Sequence, residues 1–290
     1  GASTALVAVG MAVVIGTRGI DLSVGSVIAI SAAVMAVLIR DTDLHPAVII
    51  LAALGAGVLC GLWNGMLVAY LDIQPIIATL ILMVAGRGIA QMITDGQIVT
   101  FHGAFFEGIG SGYLLGIPWR VIIAAVVIGA LYAVMRKTAL GLFVESVGGN
   151  ARASRLAGID ARGIKLLAYA ISGLCAAFAG IIIAADIRGA DANNAGLWLE
   201  LDAILAVVIG GASLMGGRFF IGMTVIGVLI IQSLTTGILL SGLPSQYTLI
   251  VKAAVVMVVL LVQAPKSREL AGKAWEKIGS RKVRGNSDEN

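Results

Sequence analysis

Apolar runs broken by short polar interruptions fill most of the chain. Nine such segments run roughly over 3–16, 24–39, 46–70, 75–94, 118–135, 164–185, 201–215, 219–241 and 246–262. A bilayer core takes about 20 apolar residues per helix, and fewer where a helix is broken and covered by protein. The pattern therefore predicts an all-α, polytopic transmembrane helix bundle with broken helices. Three segments open at Pro46, Pro75 and Pro118, which suits a first helical turn that has no use for an N–H.

The longest basic interruption, 136–165, carries its own helical signal. Gly148 and Gly149 precede Asn150, a candidate N-cap; Ala151, Ala153, Leu156 and Ala157 follow at helical spacing, and Gly158 is a stop. This predicts a capped helix of about two turns with Arg152 and Arg155 on one face, or a solvated loop. A helix this short is marginal alone in water, so the expectation is that it lies against something.

Composition narrows the class. With 59% hydrophobic and 12% charged residues the chain is no ordinary soluble globule. The 38 glycines suit close approach between membrane helices, and Ala53, Gly57, Gly61 and Gly65 form a small-residue stripe at every fourth position. Cys60 and Cys175 lie in apolar runs and read as small buried hydrophobes.

Charge sets an expected orientation. With a cytosolic C-terminus, alternation places Arg18, Arg136, Lys137, Arg152, Arg155, Arg162, Lys165, Arg218 and the basic tail inside, leaving Arg40, Arg87, Arg120, Arg188 and Lys252 elsewhere. The organisation expected is a transmembrane domain over 1–265, with the basic loop 136–165 on its cytosolic side, and a basic cytosolic tail over 266–290, with Leu270, Trp275 and Ile278 resting on the membrane. Nine segments put Gly1 outside, so a preceding cytosolic N-terminus and a tenth crossing are expected. Outer loops are acidic, with Asp41, Asp43, Asp95, Glu107, Asp186, Asp191 and Glu200.

Polar residues within the apolar field are the candidates for a pathway. Asp21, Ser23 and Ser26 sit between glycines in a break of the first two segments, as a gate element or as a capped turn. Asn64 lies within a long apolar run, Gln74 and Thr79 flank the next, and Arg87 reads as a structural pair before a substrate contact. Asp202 leads into a Gly-rich stretch over 210–217 that holds Ser213 and precedes Arg218. A faint repeat, 12–16 against 206–210, and the broken helices would also suit an ion-coupled secondary transporter. No Gly-x-x-x-x-Gly-Lys-Ser/Thr loop is present, and His45 and His102 make no metal or nucleophile set.

These stretches together, Gly19-Ile-Asp-Leu-Ser-Val-Gly-Ser26, Gly148-Gly-Asn150 through Arg155-Leu-Ala-Gly-Ile159, Glu200-Leu-Asp-Ala-Ile204 and Gly210-Gly-Ala-Ser-Leu-Met-Gly-Gly217, resemble the membrane permease subunits of bacterial ribose- and galactofuranose-type sugar ABC importers. The similarity runs in order from Gly1 to about Pro265, and the chain looks nearest to the galactofuranose kind. The resemblance implies a permease in the inner membrane that moves a monosaccharide by alternating access and is itself no enzyme. It implies a second permease subunit, a cytosolic ATP-binding subunit that holds ATP and magnesium, a periplasmic sugar-binding protein, surrounding lipid and no nucleic acid. Residues 148–159 would then be the coupling helix, with Gly148, Gly149, Asn150, Arg155, Leu156, Gly158 and Ile159 matching the family pattern. Arg152 and Phe219 stand where the family commonly has small residues.

Overall fold

The computed structural model describes residues 1–242 and 246–263. Its helices are α1 (Ala2–Gly16), α2 (Val24–Asp41), α3 (Pro46–Ala69), α4 (Pro75–Ile93), α5 (Ala104–Ser111), α6 (Trp119–Lys137), α7 (Ala139–Leu156), α8 (Ala161–Ile187), α9 (Leu199–Ile209), α10 (Ile221–Leu240) and α11 (Gln246–Gln263). Two short antiparallel pairs complete the order: β1 (Val99–Thr100) with β4 (Gly189–Ala190), and β2 (Tyr113–Leu114) with β3 (Ile117–Pro118). Among the described residues six helices, α2, α3, α4, α6, α8 and α10, are long and apolar enough to cross a membrane. The chain is a polytopic helical membrane bundle.

The chain divides into a unit over Gly1–Ile231 and a unit over Gln232–Asn290. In the first, α8 is the central post: at 27 residues it spans roughly 40 Å, and α1, α2, α3, α5 and α7 lie against it. Described residues of the second unit are the last turns of α10 and the apolar helix α11. The tail expected over 266–290 lies outside the described residues.

Small residues set the closest contact in the first unit. A Cβ added at Gly57 would reach within 2.6 Å of the Gly173 carbonyl, and one at Gly173 would overlap the Gly57 carbonyl. A Cβ at Gly61 would overlap the carbonyl of Tyr169. The every-fourth-residue stripe on α3 is thus the seam with α8, where bare backbones let dispersion replace the hydrophobic drive that lipid does not supply.

Helix α1 is buried on all sides, with 13 of its residues covered from Thr4 to Gly16. At 15 residues it is roughly 22 Å long, too short for a lipid-exposed span. It is tolerated because α8, α9, α6 and α7 surround it.

Pro46 and Pro75 occupy first helical turns as predicted, while Pro118 caps α6 from the β3 strand, one residue earlier than the helix. Three expectations need correction. Helix α9 stops at Ile209 rather than near 215, because Gly211 takes φ +83° and Gly210 lies against the α10 backbone at Met223. The stretch before Asn150, read as part of the basic interruption, is itself helical: α7 runs from Ala139 through Gly148 and Gly149 and kinks at Asn150 (φ −156°, ψ 95°). Helix α5 is an addition in the 95–117 connection, which the sequence places among the outer loops.

Candidate translocation core and coupling surface

Three geometric features concern function: a buried polar knot, a short exposed helix, and a cleft at the end opposite that helix.

The knot forms where α1 gives way to α2. Glycine at 19 and 25 leaves room for the Tyr169 hydroxyl and the Gly196 carbonyl, and Asp21 folds inward to 1% exposure. Its Oδ1 accepts from the Ser23 amide (3.1 Å) and Ser23 Oγ (2.6 Å), and its Oδ2 accepts from Ser172 Oγ of α8 (2.8 Å). Asn64 of α3 donates through Nδ2 to Ser23 Oγ (2.8 Å) and Asp21 Oδ1 (3.4 Å). Thr79 of α4 donates to the Ile20 carbonyl at 3.4 Å and to its own Pro75 carbonyl at 2.9 Å. Ser26 Oγ bridges the Ser23 and Leu82 carbonyls at 2.7 and 3.0 Å.

Five helices therefore meet at one break, and an unwound segment at membrane depth has its polar groups satisfied by neighbours. The structure brings Asp21, Ser23, Asn64 and Thr79 together, but they face one another inside the chain, fully buried, rather than an open cavity. Their mutual bonds are the reason: a carboxylate surrounded by three side-chain donors has no need of water. Asn64 Oδ1 is buried without a partner among the described residues. Ser172 was missed because one serine in a 27-residue apolar helix carries no sequence signal of its own.

Gln74, Asp202 and Ser213 lie elsewhere. Gln74 is exposed at the start of α4, where it joins Arg18, Asp72, Val147, Gly148 and Lys165 around a cavity of about 250 Å3. Asp202 is half-buried on the first turn of α9. Ser213 is exposed in the 210–217 loop, its Oγ accepting from the Met215 amide at 3.2 Å. That loop belongs to the Arg18 end, since Gly216 abuts Arg18 and the Gly217 amide donates to the Gly16 carbonyl at 3.1 Å. Gln74 and Ser213 are polar because they are at helix ends, not because they line the middle of a passage.

The exposed helix is the second half of α7. Asn150 Oδ1 accepts from the amides of Arg152 (3.1 Å) and Ala153 (3.0 Å), an N-cap that starts a new helix immediately after the kink. Gly158 at φ +85° ends it. Ser154 turns inward and donates to the Asn150 carbonyl, whereas Arg152, Arg155 and Leu156 point out, Leu156 at 85% exposure. The face expected to rest on something is bare.

Its root is the opposite. A Cβ at Gly148 would overlap the Gly16 carbonyl and fall 2.6 Å from the Gly217 amide nitrogen. The Phe219 ring and Val144 close over Gly16, each within 2.8 Å of where a Cβ would stand. Phe219 thus fills space that the glycine leaves rather than disturbing the turn. Arg218 is exposed beside it. The short helix is therefore fixed through glycine contacts to the end of α1, which runs into the polar knot.

At the opposite end, loops 94–118 and 186–198 meet: β1 pairs with β4, and Arg120 bonds Asp186 at 2.7 Å. Arg87 Nη1 donates to the carbonyls of Ala192 (3.0 Å) and Ala195 (2.7 Å), the structural pairing expected of it. Gln91 donates to Asn193 Oδ1 at 2.6 Å. Asp191 accepts from the amides of Asn193 and Asn194 and from the Asn194 side chain. Burial pushes the Asp191 carboxyl up, but these bonds and the nearby Arg87 charge outweigh it and hold the carboxyl below its ordinary value. Arg87, Gly88, Gln91, Ser26, Leu197 and Glu200 border a cleft of about 380 Å3.

Comparison with known proteins places these features in a family. The family model described as "Branched-chain amino acid transport system / permease component" matches residues 1–260. The galactofuranose transporter permease protein YtfT of Escherichia coli K12 is 60% identical over 265 residues, covering 91% of this chain and 77% of that protein. The ribose import permease protein RbsC of Escherichia coli K12 is 41% identical, covering 90% and 82%. The fructose import permease protein FruF of Bifidobacterium longum is 40% identical, covering 94% and 77%. No solved structure matches the chain. With six apolar spans among its described residues, a broken-helix core and a match over nearly its whole length, the chain belongs to this family of transport-system permease components and is a multi-pass membrane transporter subunit, not an enzyme.

Proposed function

We propose that the chain forms the translocation pathway of an ATP-driven monosaccharide importer in the bacterial cytoplasmic membrane, with galactofuranose or a similar pentose or hexose as cargo. The named cargoes of its relatives support the sugar class. The observation that carries the mechanism is the bare helix over 150–157, rooted at Gly148 on the end of α1.

In this reading the basic end of the bundle, with the C-terminus, faces the cytosol. Arg152, Arg155, Leu156 and Arg218 meet a separate ATP-binding subunit, which holds ATP and magnesium; this chain holds no cofactor. A second permease subunit completes the pathway, and a periplasmic sugar-binding protein delivers cargo at the acidic end. Closure of the ATP-binding partner moves helix 150–157. Because no side chain intervenes between Gly148 and Gly16, the displacement passes backbone to backbone into α1 and its break at Asp21. A ligand shifts a two-state equilibrium only through contacts that differ between the states, and this helix supplies such contacts.

The test is uptake by proteoliposomes holding the purified complex and its binding protein. Sugar accumulation that needs ATP on the side of the basic end, and survives collapse of ion gradients, is expected. Accumulation driven by an ion gradient without ATP contradicts the proposal.

A further inference from the structure

From the cleft at the acidic end we infer a transient sugar-binding site, built by Gln91 and Glu200 on either side of Arg87, that receives cargo on its way into the pathway. This rests on the reading of the chain as a sugar permease.

Arg87 is twelve residues into α4, roughly 18 Å along it, and Gln91 lies one turn further on. A guanidinium so placed is costly against lipid, so this side of α4 faces protein or water. The cavity of about 380 Å3 is within the range of roughly 300–1,000 Å3 that holds small molecules. It is built rather than incidental. Arg87 and Gln91 tie down loop 191–198, and Asp191 locks the turn inside it.

The chemistry of the lining selects a class. Glu200 is 4% exposed yet borders the cavity, and among the described residues no ion pair within 4 Å joins it to a base. Arg87 spends only Nη1 on the loop carbonyls, and the rest of its fork has no hydrogen-bond acceptor among the described residues. One wall thus supplies donors, another acceptors, and the Gln91 amide both. A polyol needs that mixture, since each hydroxyl donates and accepts. The formal charges of Arg87 and Glu200 cancel, which favours an uncharged cargo over an anion or a cation. Gly88 opens the floor, with no atom within 4 Å of where its Cβ would stand, and Leu197 and Val84 offer an apolar side to the C–H face of a ring.

The variants are Gln91→Ala and Glu200→Gln in the complete transporter, in proteoliposomes with its binding protein and internal ATP. The probes are radiolabelled galactose, which equilibrates with its furanose form, ribose, fructose and leucine. Each variant is expected to change maximal sugar uptake, or the ratio between sugars, by at least about threefold, roughly the loss of one hydrogen bond. Unchanged rates and ratios overturn the cleft assignment and leave the sugar reading standing. Leucine uptake without sugar uptake by the parent protein overturns the sugar reading, and the cleft assignment falls with it.

A second measurement covers a variant that does not assemble. Gln91→Cys, with Cys60 and Cys175 replaced, is expected to react with a membrane-impermeant maleimide from the acidic side, and millimolar transported sugar is expected to slow the reaction at least threefold. Absence of labelling, or labelling that sugar does not slow, overturns the assignment.

Discussion

Gly148 rests on Gly16 with no room for a methyl group between them, so the backbone of α7 and the end of α1 touch directly. The neighbouring amide of Gly217 closes the contact by donating to the same Gly16 carbonyl. A joint made of main chain has no rotamers to absorb motion, and close-packed interiors transmit strain. What happens at helix 150–157 is therefore felt at α1.

Gly148→Ala should break that joint. Overpacking against backbone costs about 1–3 kcal/mol, and uptake should fall at least tenfold. Gly149→Ala is the control, because nothing lies within 4 Å of its would-be Cβ. It should be neutral or slightly stabilising, as alanine is the better helix former by about 0.5–1 kcal/mol. Thermal unfolding in detergent with an uptake assay distinguishes the two.

Reversing charge at Arg152 and Arg155 should separate transport from ATP hydrolysis. Both side chains are exposed, so the fold should change by less than about 0.5 kcal/mol. Uptake by the complex should drop at least tenfold while ATP is still hydrolysed. Unaltered uptake would show that this face touches no partner.

The polar knot predicts a stability effect without a surface change. Asp21→Ala strands the donors of Ser23, Asn64 and Ser172 in a buried site, where one unsatisfied group costs about 1–3 kcal/mol. The protein should lose at least about 2 kcal/mol. Asp21→Asn, which keeps an acceptor, should lose less.

Loop 191–198 should open when its anchor goes. Arg87→Met removes the two bonds to the Ala192 and Ala195 carbonyls and should raise hydrogen exchange across the loop at least tenfold. Acid should act in the same direction. The Asp191 carboxyl is held below its ordinary value, so its contribution is present above that value and is lost as pH falls through the lowered one. Exchange in the loop should rise there and not at neutral pH.

Some of this was legible in residues and some was not, for physical reasons. Helices α3 and α4 announced themselves, because an apolar run opened by Pro46 or Pro75 has one reading in a membrane. Asn150 and Gly158 were legible as cap and stop because capping chemistry is local. Gly148 was not, since a glycine that breaks a helix and one that lets two backbones touch look alike until the second backbone is in view. Gln74 and Ser213 misled for a related reason: a polar residue ending a helix and one lining a passage give the same interruption. Asn64 could be singled out, but its partners Asp21 and Ser23 come from the break between two other helices, and only the fold joins them.

The central claim is that helix 150–157 is gripped by an ATP-binding subunit, and crosslinking tests it most directly. A photoreactive side chain at Leu156, which is 85% exposed, would be activated in membranes from cells expressing the whole transporter. The account predicts a crosslink to the ATP-hydrolysing chain whose yield changes when ATP is added. A crosslink only to lipid or to a periplasmic protein, or labelling of position 156 by an impermeant reagent from the periplasmic side, would contradict it.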